Sequence, residues 1–211
     1  MTDLNRSQFI SNGAKGGLVL VAGGSMLALA ACGDDSPSAA GTTTAAATTT
    51  AAAPMGDAAI ASLAATAELL AIDFYGKAIA SGMFTGDVLA YMTAAQKNEQ
   101  DHYDALAKVL ASDAPKGLAF KYPDGTFASA KSIAMTGIAL ETAFVGAYMG
   151  AIPALTDNGL KKVAAQIGAN EAQHLTVLKS VDAGRLVPNP SLPKSFTAGE
   201  ATAAVTPFLA G

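Results

Sequence analysis

"NEQDHY" at residues 98–103 and "NEAQHL" at residues 170–175 hold the two histidines of the chain, His102 and His174, each preceded at three residues by a glutamate, Glu99 and Glu171. Three residues of α-helix turn through about 300°, so within each pair the carboxylate and the imidazole lie one turn apart on the same face. A single Glu-x-x-His is a weak signal. Both histidines of a chain carrying the same neighbour at the same spacing is a strong one.

Two further glutamates stand one before each of these pairs, each inside an apolar run: Glu68 in "TAELLA" (66–71) and Glu141 in "ALETAF" (139–144). Tyr75 follows Glu68 by seven residues and Tyr148 follows Glu141 by seven. Seven residues is two helical turns to within about 20°, so each tyrosine shares the face of its glutamate. Glu68 and Glu141 are 73 residues apart, as are Tyr75 and Tyr148, while Glu99/Glu171 and His102/His174 are each 72 apart. The chain therefore contains a duplicated hairpin. Of 17 acidic residues only five are glutamate, and four of those five occupy the repeated positions, with Glu200 the exception. Surface acidity is left to aspartate.

Helical periodicity picks out four segments, about 57–81, 86–112, 128–151 and 157–183, with Asp57, Asp87 and Asp157 at or near their starts, where helix N-termini favour acids. "SGMFTG" (81–86) and a short stretch around Pro153 and Asp157 are hairpin connections, whereas "DAPKGLAFKYPDGTFAS" (113–129) is long enough to run the length of a bundle. The expected fold is all-α: a four-helix bundle over 57–186 made of two helical hairpins joined by a long crossover. Trp is absent and Ala abundant, so the helices must approach closely, and Met83, Met92, Met135 and Met149 read as gap-filling core residues. In the tail, 187–211, Pro188, Pro190 and Pro193 block a continuous helix. A short helix over Ala198–Val205 follows, with Phe208 and Leu209 packing on the bundle as a clamp or lid.

Four carboxylates brought together inside such a bundle repel one another and lose hydration, at several kcal/mol per ion. Two divalent cations balance that charge, and carboxylates with neutral imidazoles suit iron or manganese. The candidate metal ligands are Glu68, Glu99, His102, Glu141, Glu171 and His174, with the glutamates that lack a histidine, Glu68 and Glu141, expected to bridge. The alternatives are ordinary ones: Glu68 and Glu141 as cap or surface residues, the Glu-x-x-His residues as a solvated face. Tyr75 and Tyr148 read either as core tyrosines bonded to a carboxylate or as oxidisable groups beside the metals, the candidate catalytic residues. Asp73 is a candidate partner for one imidazole, while the equivalent position in the second half is Gly146.

The first 31 residues read as a targeting segment. Arg6 and Lys15 are basic, "GGLVLVAGGSMLALAA" (16–31) is apolar but short of the roughly 20 residues of a membrane span, and "LAAC" ends it at Cys32. The pattern is that of a bacterial lipoprotein signal, with Cys32, the only cysteine of the chain, as the acylated first residue of the mature protein. An ordinary cleaved signal or a buried thiol is the alternative, and "RSQFI" (6–10), with one arginine, leaves the export route open. Residues 32–56, rich in Ala and Thr, read as a disordered tether that holds the domain a few tens of Å from a membrane. The expected location is extracytoplasmic and membrane-anchored. A net charge of −4 with no Lys/Arg cluster argues against nucleic acid as a partner.

The chain resembles the ferritin-like superfamily, and more closely the bacterial ferritin-like domain proteins related to plant desiccation-associated proteins. The likeness is carried over about 57–211 by Glu68, Phe74 and Tyr75 on the first helix, "NEQDH" on the second, Leu140, Glu141 and Tyr148 on the third, "NEAQH" on the fourth and "PFL" at 207–209. It implies a dinuclear centre of two iron, or alternatively manganese, ions held by one Glu from each of two helices and a Glu-x-x-His from each of the others. It implies no single reaction: ferroxidase, peroxidase and catalase-like oxidoreductases acting on dioxygen, hydrogen peroxide or ferrous iron share the superfamily. A non-enzymatic stress or desiccation protein, or a metal scavenger of the envelope, is the alternative. A closed storage shell is awkward for an acylated chain, and a homodimer is compatible with these expectations.

Overall fold

A computed structural model describes residues 55–210, so the signal segment, Cys32 and all but the end of the tether lie outside the described residues. Four long helices dominate: α1 (Asp57–Ala80), α2 (Gly86–Leu110), α3 (Ala130–Ala154) and α4 (Asn158–Ala183), followed by a short α5 (Ala198–Val205). α1 packs mainly on α2 and α3 mainly on α4, with α1 against α3 and α2 against α4 closing the bundle. Two 3-10 turns, Ala111–Asp113 and Thr206–Phe208, complete the helical structure among the described residues.

Local chemistry sets the ends. The α1–α2 turn is possible because Gly82 and Gly86 adopt φ of 69° and 56°, a region that costs other residues free energy. Ser129 and Ser132 form a reciprocal capping box at the start of α3, and the Asp157 carboxylate accepts from Leu160 N at 2.7 Å at the start of α4. Asp57 does more than favour its own helix end. Its carboxylate accepts from Thr156 N at 2.8 Å, Thr156 Oγ1 at 2.9 Å and Asp157 N at 2.7 Å, tying the start of α1 to the α3–α4 turn and holding its pKa below the usual carboxylate value.

Two expectations need correction. α3 does not stop before Pro153 but includes it and ends at Ala154. In the last turn the missing N–H forfeits one bond only, and Leu155 N still reaches Ala151 O at 2.9 Å. Of the four methionines expected in the core, Met92 alone is fully buried, whereas Met83, Met135 and Met149 are exposed. Those three are turned to solvent, and the buried small residues are alanines such as Ala65, Ala71 and Ala78.

The core has two apolar lobes. One gathers Leu70, Phe74, Tyr75, Met92, Ile133, Phe144 and Leu178; the other gathers Ile60, Leu106, Leu155, Leu160 and Ile167 with Tyr148. Glu68, Glu99 and Glu171 fall between them along their helices, and Glu141 lies on α3 within one turn of the change from Phe144 to Tyr148, so a charged layer cuts the apolar core.

The crossover and the tail meet on the outside of the bundle. Tyr122 of the crossover donates to Asp73 Oδ2 at 2.9 Å and stacks near Phe74, Phe127 and Phe208. An isolated bridge joins Phe120 to Leu209, with Lys121 N donating to Phe208 O at 2.8 Å and Ala210 N to Ala119 O at 2.9 Å. Upstream, the tail settles on two glycines of α3: Phe196 N donates to Gly146 O at 2.8 Å, and a Cβ at Gly150 would overlap the Phe196 carbonyl. Gly150→Ala therefore forces the tail backbone outward. The expected result is a loss of about 2 kcal/mol, in the range for overpacking, and new protease cleavage between residues 185 and 197. Unchanged melting and cleavage would show that this close approach is dispensable.

Candidate metal centre

The six side chains singled out by spacing converge in the charged layer. Glu68 comes from α1, Glu99 and His102 from α2, Glu141 from α3, Glu171 and His174 from α4, and all but His102 are buried. Their atoms form two groups, each able to hold a metal ion: Glu68, Glu99, His102 and Glu171 in one, and Glu99, Glu141, Glu171 and His174 in the other, with the ligand atoms of each group within 4.8 Å of one another. Glu99 and Glu171 belong to both groups. This corrects the expected division of labour: the shared carboxylates are those of the Glu-x-x-His pairs, and Glu68 and Glu141 each serve one end. α2 and α4 bring their glutamates to the middle of the layer, and the lone glutamates flank them.

Imidazole geometry argues for an ion at each group. His102 Nδ1 lies 3.3 Å from Glu68 Oε2, 3.2 Å from Glu99 Oε2 and 3.2 Å from Glu171 Oε1. His174 Nδ1 lies 2.8 Å from Glu99 Oε1 and 3.2 Å from Glu171 Oε2, with Glu141 Oε1 farther off at 3.8 Å. One N–H points at one acceptor, so a single ring nitrogen facing three carboxylates cannot bond them all. Glu141 Oε2 is buried and receives no hydrogen bond, and Glu99 Oε1 and Glu171 Oε1 have only a ring nitrogen shared with other carboxylates, a shortage that costs free energy unless a cation faces them. Oxygen-rich donors with one imidazole per group match the preferences of iron and manganese, so the residues fit the group that their chemistry implies.

Without a cation, protons take its place. Burial and the Glu171 charge push Glu68 up; burial and Glu68 push Glu99 up; burial with Glu171 and Glu99 raises Glu141 well above the carboxylate range. Burial works to lower the histidines but is outweighed by the facing carboxylates. Glu171, Glu68 and Glu99 push His102 up to about 12, and Glu171 and Glu99 push His174 up to about 9.

The tyrosines cross between the halves. Tyr75 of α1 donates to Glu141 Oε1 of α3 at 2.6 Å, and Tyr148 of α3 donates to Glu68 Oε1 of α1. Each hydroxyl fixes one oxygen of a lone glutamate; Glu68 Oε2 is left facing His102 Nδ1 at 3.3 Å, and Glu141 Oε2 is left without a hydrogen bond. Burial and the bonded carboxylate raise both tyrosines well above their ordinary pKa, which keeps them as donors.

Two residues not picked out by spacing also belong here. The Asn98 carboxamide lies 3.3 Å from His174 Nε2, the outer nitrogen that a metal-bound imidazole uses to fix its orientation. The signal was present in sequence, because an asparagine precedes the glutamate in both "NEQDH" and "NEAQH". Asp73, the candidate for such a role, instead bonds Lys77 and Tyr122 on the outer side of α1. Tyr91 meets the His174 ring edge-on at 6.2 Å, and burial with the Glu141, Glu99 and Glu171 charges pushes it up to about 12. It stands eleven residues before His102, three turns up the same face of α2.

The two groups differ in access. The His102 side chain is 12% exposed and that of His174 is 0% exposed, so the first group has a route to solvent along the His102 edge and the second is closed.

A protein-family model described as "Ferritin-like domain" matches residues 56–183. The match takes in all four long helices and ends before the C-terminal tail. A search of curated proteins returns no match.

Proposed function

Because this chain belongs to the ferritin-like domain family, we propose that its buried cluster holds two redox metal ions, iron in preference to manganese, and serves an oxidoreductase of the cell envelope that acts on dioxygen or hydrogen peroxide. The observation that carries this reading is the convergence of four buried carboxylates on two imidazole Nδ1 atoms that cannot serve them all, with Glu141 Oε2 left without any hydrogen bond. Bound iron or manganese would supply electrons in pairs through its change of oxidation state.

The chain's own residues would do the rest. Glu99 and Glu171, common to both groups, would hold the ions together with Glu68 and His102 in one group and Glu141 and His174 in the other, and Tyr148 and Tyr75 would hold Glu68 and Glu141 in place through Oε1. Burial excludes bulk water, which strengthens each of these contacts. Tyr75 and Tyr148, being neutral donors beside the cluster, are also the groups placed to give up a proton or an electron to it. The expected lipid anchor at Cys32 and the Ala/Thr-rich tether would keep this chemistry at a membrane surface, and the likeness to desiccation-associated proteins favours a role in oxidative or drying stress.

Elemental mass spectrometry tests the reading directly. Full-length chain exposed to iron and manganese is expected to retain about two ions per chain, and Glu99→Ala combined with Glu171→Ala is expected to retain none. Little metal in the parent, or equal metal in both proteins, would overturn it. A second reading, metal held for stability alone, is favoured by the closure of the His174 group. It predicts that metal raises the melting temperature with no consumption of dioxygen or peroxide.

A further inference from the structure

The duplicated hairpins are alike in their ligands and unlike in what holds the two imidazoles. Asn98 and Asn170 stand 72 residues apart, each directly before the glutamate of a Glu-x-x-His pair. Asn98 crosses from α2 to α4 and places its carboxamide 3.3 Å from His174 Nε2. Among the described residues His102 makes its polar contacts through Nδ1, with no matching bond from Asn170 to its outer nitrogen. Tyr75 and Tyr91 also meet the His174 ring edge-on, at 5.8 and 6.2 Å. The aromatic neighbour of His102 is the other imidazole, tilted against it at 6.3 Å. One ring is held on every side, and the other by its metal-facing nitrogen alone.

The outer nitrogen matters because an imidazole that binds a cation through Nδ1 carries its proton on Nε2, and that N–H needs an acceptor once it is buried. The Asn98 carboxamide oxygen is such an acceptor. Without a cation, His174 Nδ1 faces Glu99 and Glu171, and the carboxamide can turn over to present its oxygen or its NH2 to Nε2. An amide at this place therefore serves the ring in both states, which neither a carboxylate nor an apolar side chain does. His174 has given up its orientational freedom before a cation arrives, whereas His102 loses its own on binding.

Two cations that share Glu99 and Glu171 repel each other, so the second binds more weakly than the first wherever the first sits. The contacts around the rings decide the order. We infer that Asn98 is a positioning residue that makes the His174 group the tighter of two unequal cation sites, filled first and emptied last, while the His102 group holds the ion that exchanges with solvent. The inference rests on the reading of the cluster as a metal centre and gives its two halves different duties.

Zinc alone is the probe, because it has no unpaired electrons to broaden the spectra and accepts the same carboxylate and imidazole donors. In full-length chain isotope-labelled at its histidine nitrogens, long-range nitrogen–proton correlations show which ring nitrogen is bound, and His102→Gln assigns the two rings. One equivalent of zinc is expected to bind His174 through Nδ1, with Nε2–H retained, and to leave His102 as it was. A second equivalent is expected to bind His102, and a chelator to strip that ion first. Asn98→Leu is expected to weaken the tighter ion by about 10–100-fold and to erase the order, with Asn98→Ala as the substitute if the leucine variant does not fold. Asn98→Asp, which keeps an acceptor for Nε2–H, is expected to restore the order, and Asn170→Leu to leave it unchanged. His102 responding first, both rings responding together, or an order that survives loss of the carboxamide would overturn the inference while metal binding stands. So would a variant that shifts only the melting temperature of the metal-free chain, since that is the mark of a residue that merely packs. No zinc at either ring would overturn the reading of the cluster as a metal centre as well.

Discussion

Above about pH 9, Glu99→Gln combined with Glu171→Gln raises the melting temperature of the metal-free chain, and at any pH it abolishes metal uptake. The two carboxylates sit at the centre of the charged layer, both 0% exposed, and share two imidazole Nδ1 atoms that cannot serve all their oxygens. Taking an ionised carboxylate out of water costs several kcal/mol even after relaxation. The amide keeps the shape and removes the charge, so the repulsion felt by Glu68 and Glu141 falls with it. The gain is offset by the loss of the charges that hold the His102 and His174 protons, so it is expected only above about pH 9, where His174 has released its proton, and on the order of 1 kcal/mol, a few °C for a chain of this size. Metal reverses the ranking. Ion-saturated wild type gains about 4 kcal/mol at a thousandfold excess over Kd, and the variant, lacking both shared ligands, gains nothing. Calorimetry of the two proteins with and without manganese provides all four values. A variant that melts lower than wild type above about pH 9 when both are metal-free would mean that the carboxylates are structural hydrogen-bond acceptors, and that the cluster is not held ready for cations at a cost in stability.

That trade explains which parts of the molecule were legible in the sequence. A glutamate in the middle of an apolar helix violates the local rule for burial, and it does so at Glu68 and Glu141 with the same spacing to a tyrosine. The violation marks the layer because ordinary packing has no use for it. The bundle itself could be read from periodicity and from the lengths of the connections, and α5 from the prolines that precede it. What could not be read was set by geometry across helices. Spacing along one helix places Tyr75 on the face of Glu68, but only the antiparallel pairing of α1 and α3 decides that its hydroxyl reaches Glu141. Which glutamates are shared between the two groups follows from how the four helices are placed across the bundle, a quantity with no trace in residue spacing. The methionines misled for a related reason. In a core filled by alanine the helices close up, and three flexible side chains expected inside are left on the surface.

With metal absent, the chain loses stability as pH rises through neutrality, and with metal present it does not. His174 is pushed up to about 9 in the folded protein from an unfolded value near 6.5. Its contribution is fully present below pH 6.5 and is lost as pH rises through about 9. His102, pushed up to about 12, keeps its own contribution over that window. Glu68, Glu99 and Glu141 are raised as well, so above pH 4.5 the unfolded chain sheds protons that the folded cluster retains, and this too erodes stability as pH rises. For His174 alone the shift is worth about 3 kcal/mol, or roughly 10 °C between pH 6 and pH 9. Cations compete for the atoms that hold these protons, so uptake releases protons and affinity climbs with pH. The two effects have opposite signs: alkaline conditions that weaken the metal-free bundle strengthen its hold on metal. Thermal melts at pH 6, 7, 8 and 9, with manganese or with a chelator, are expected to diverge steadily as pH rises. Parallel pH profiles would mean that the protons and the metal do not occupy the same atoms, and the cluster formed by Glu99, Glu171 and the two imidazoles would have to be assigned to structure alone.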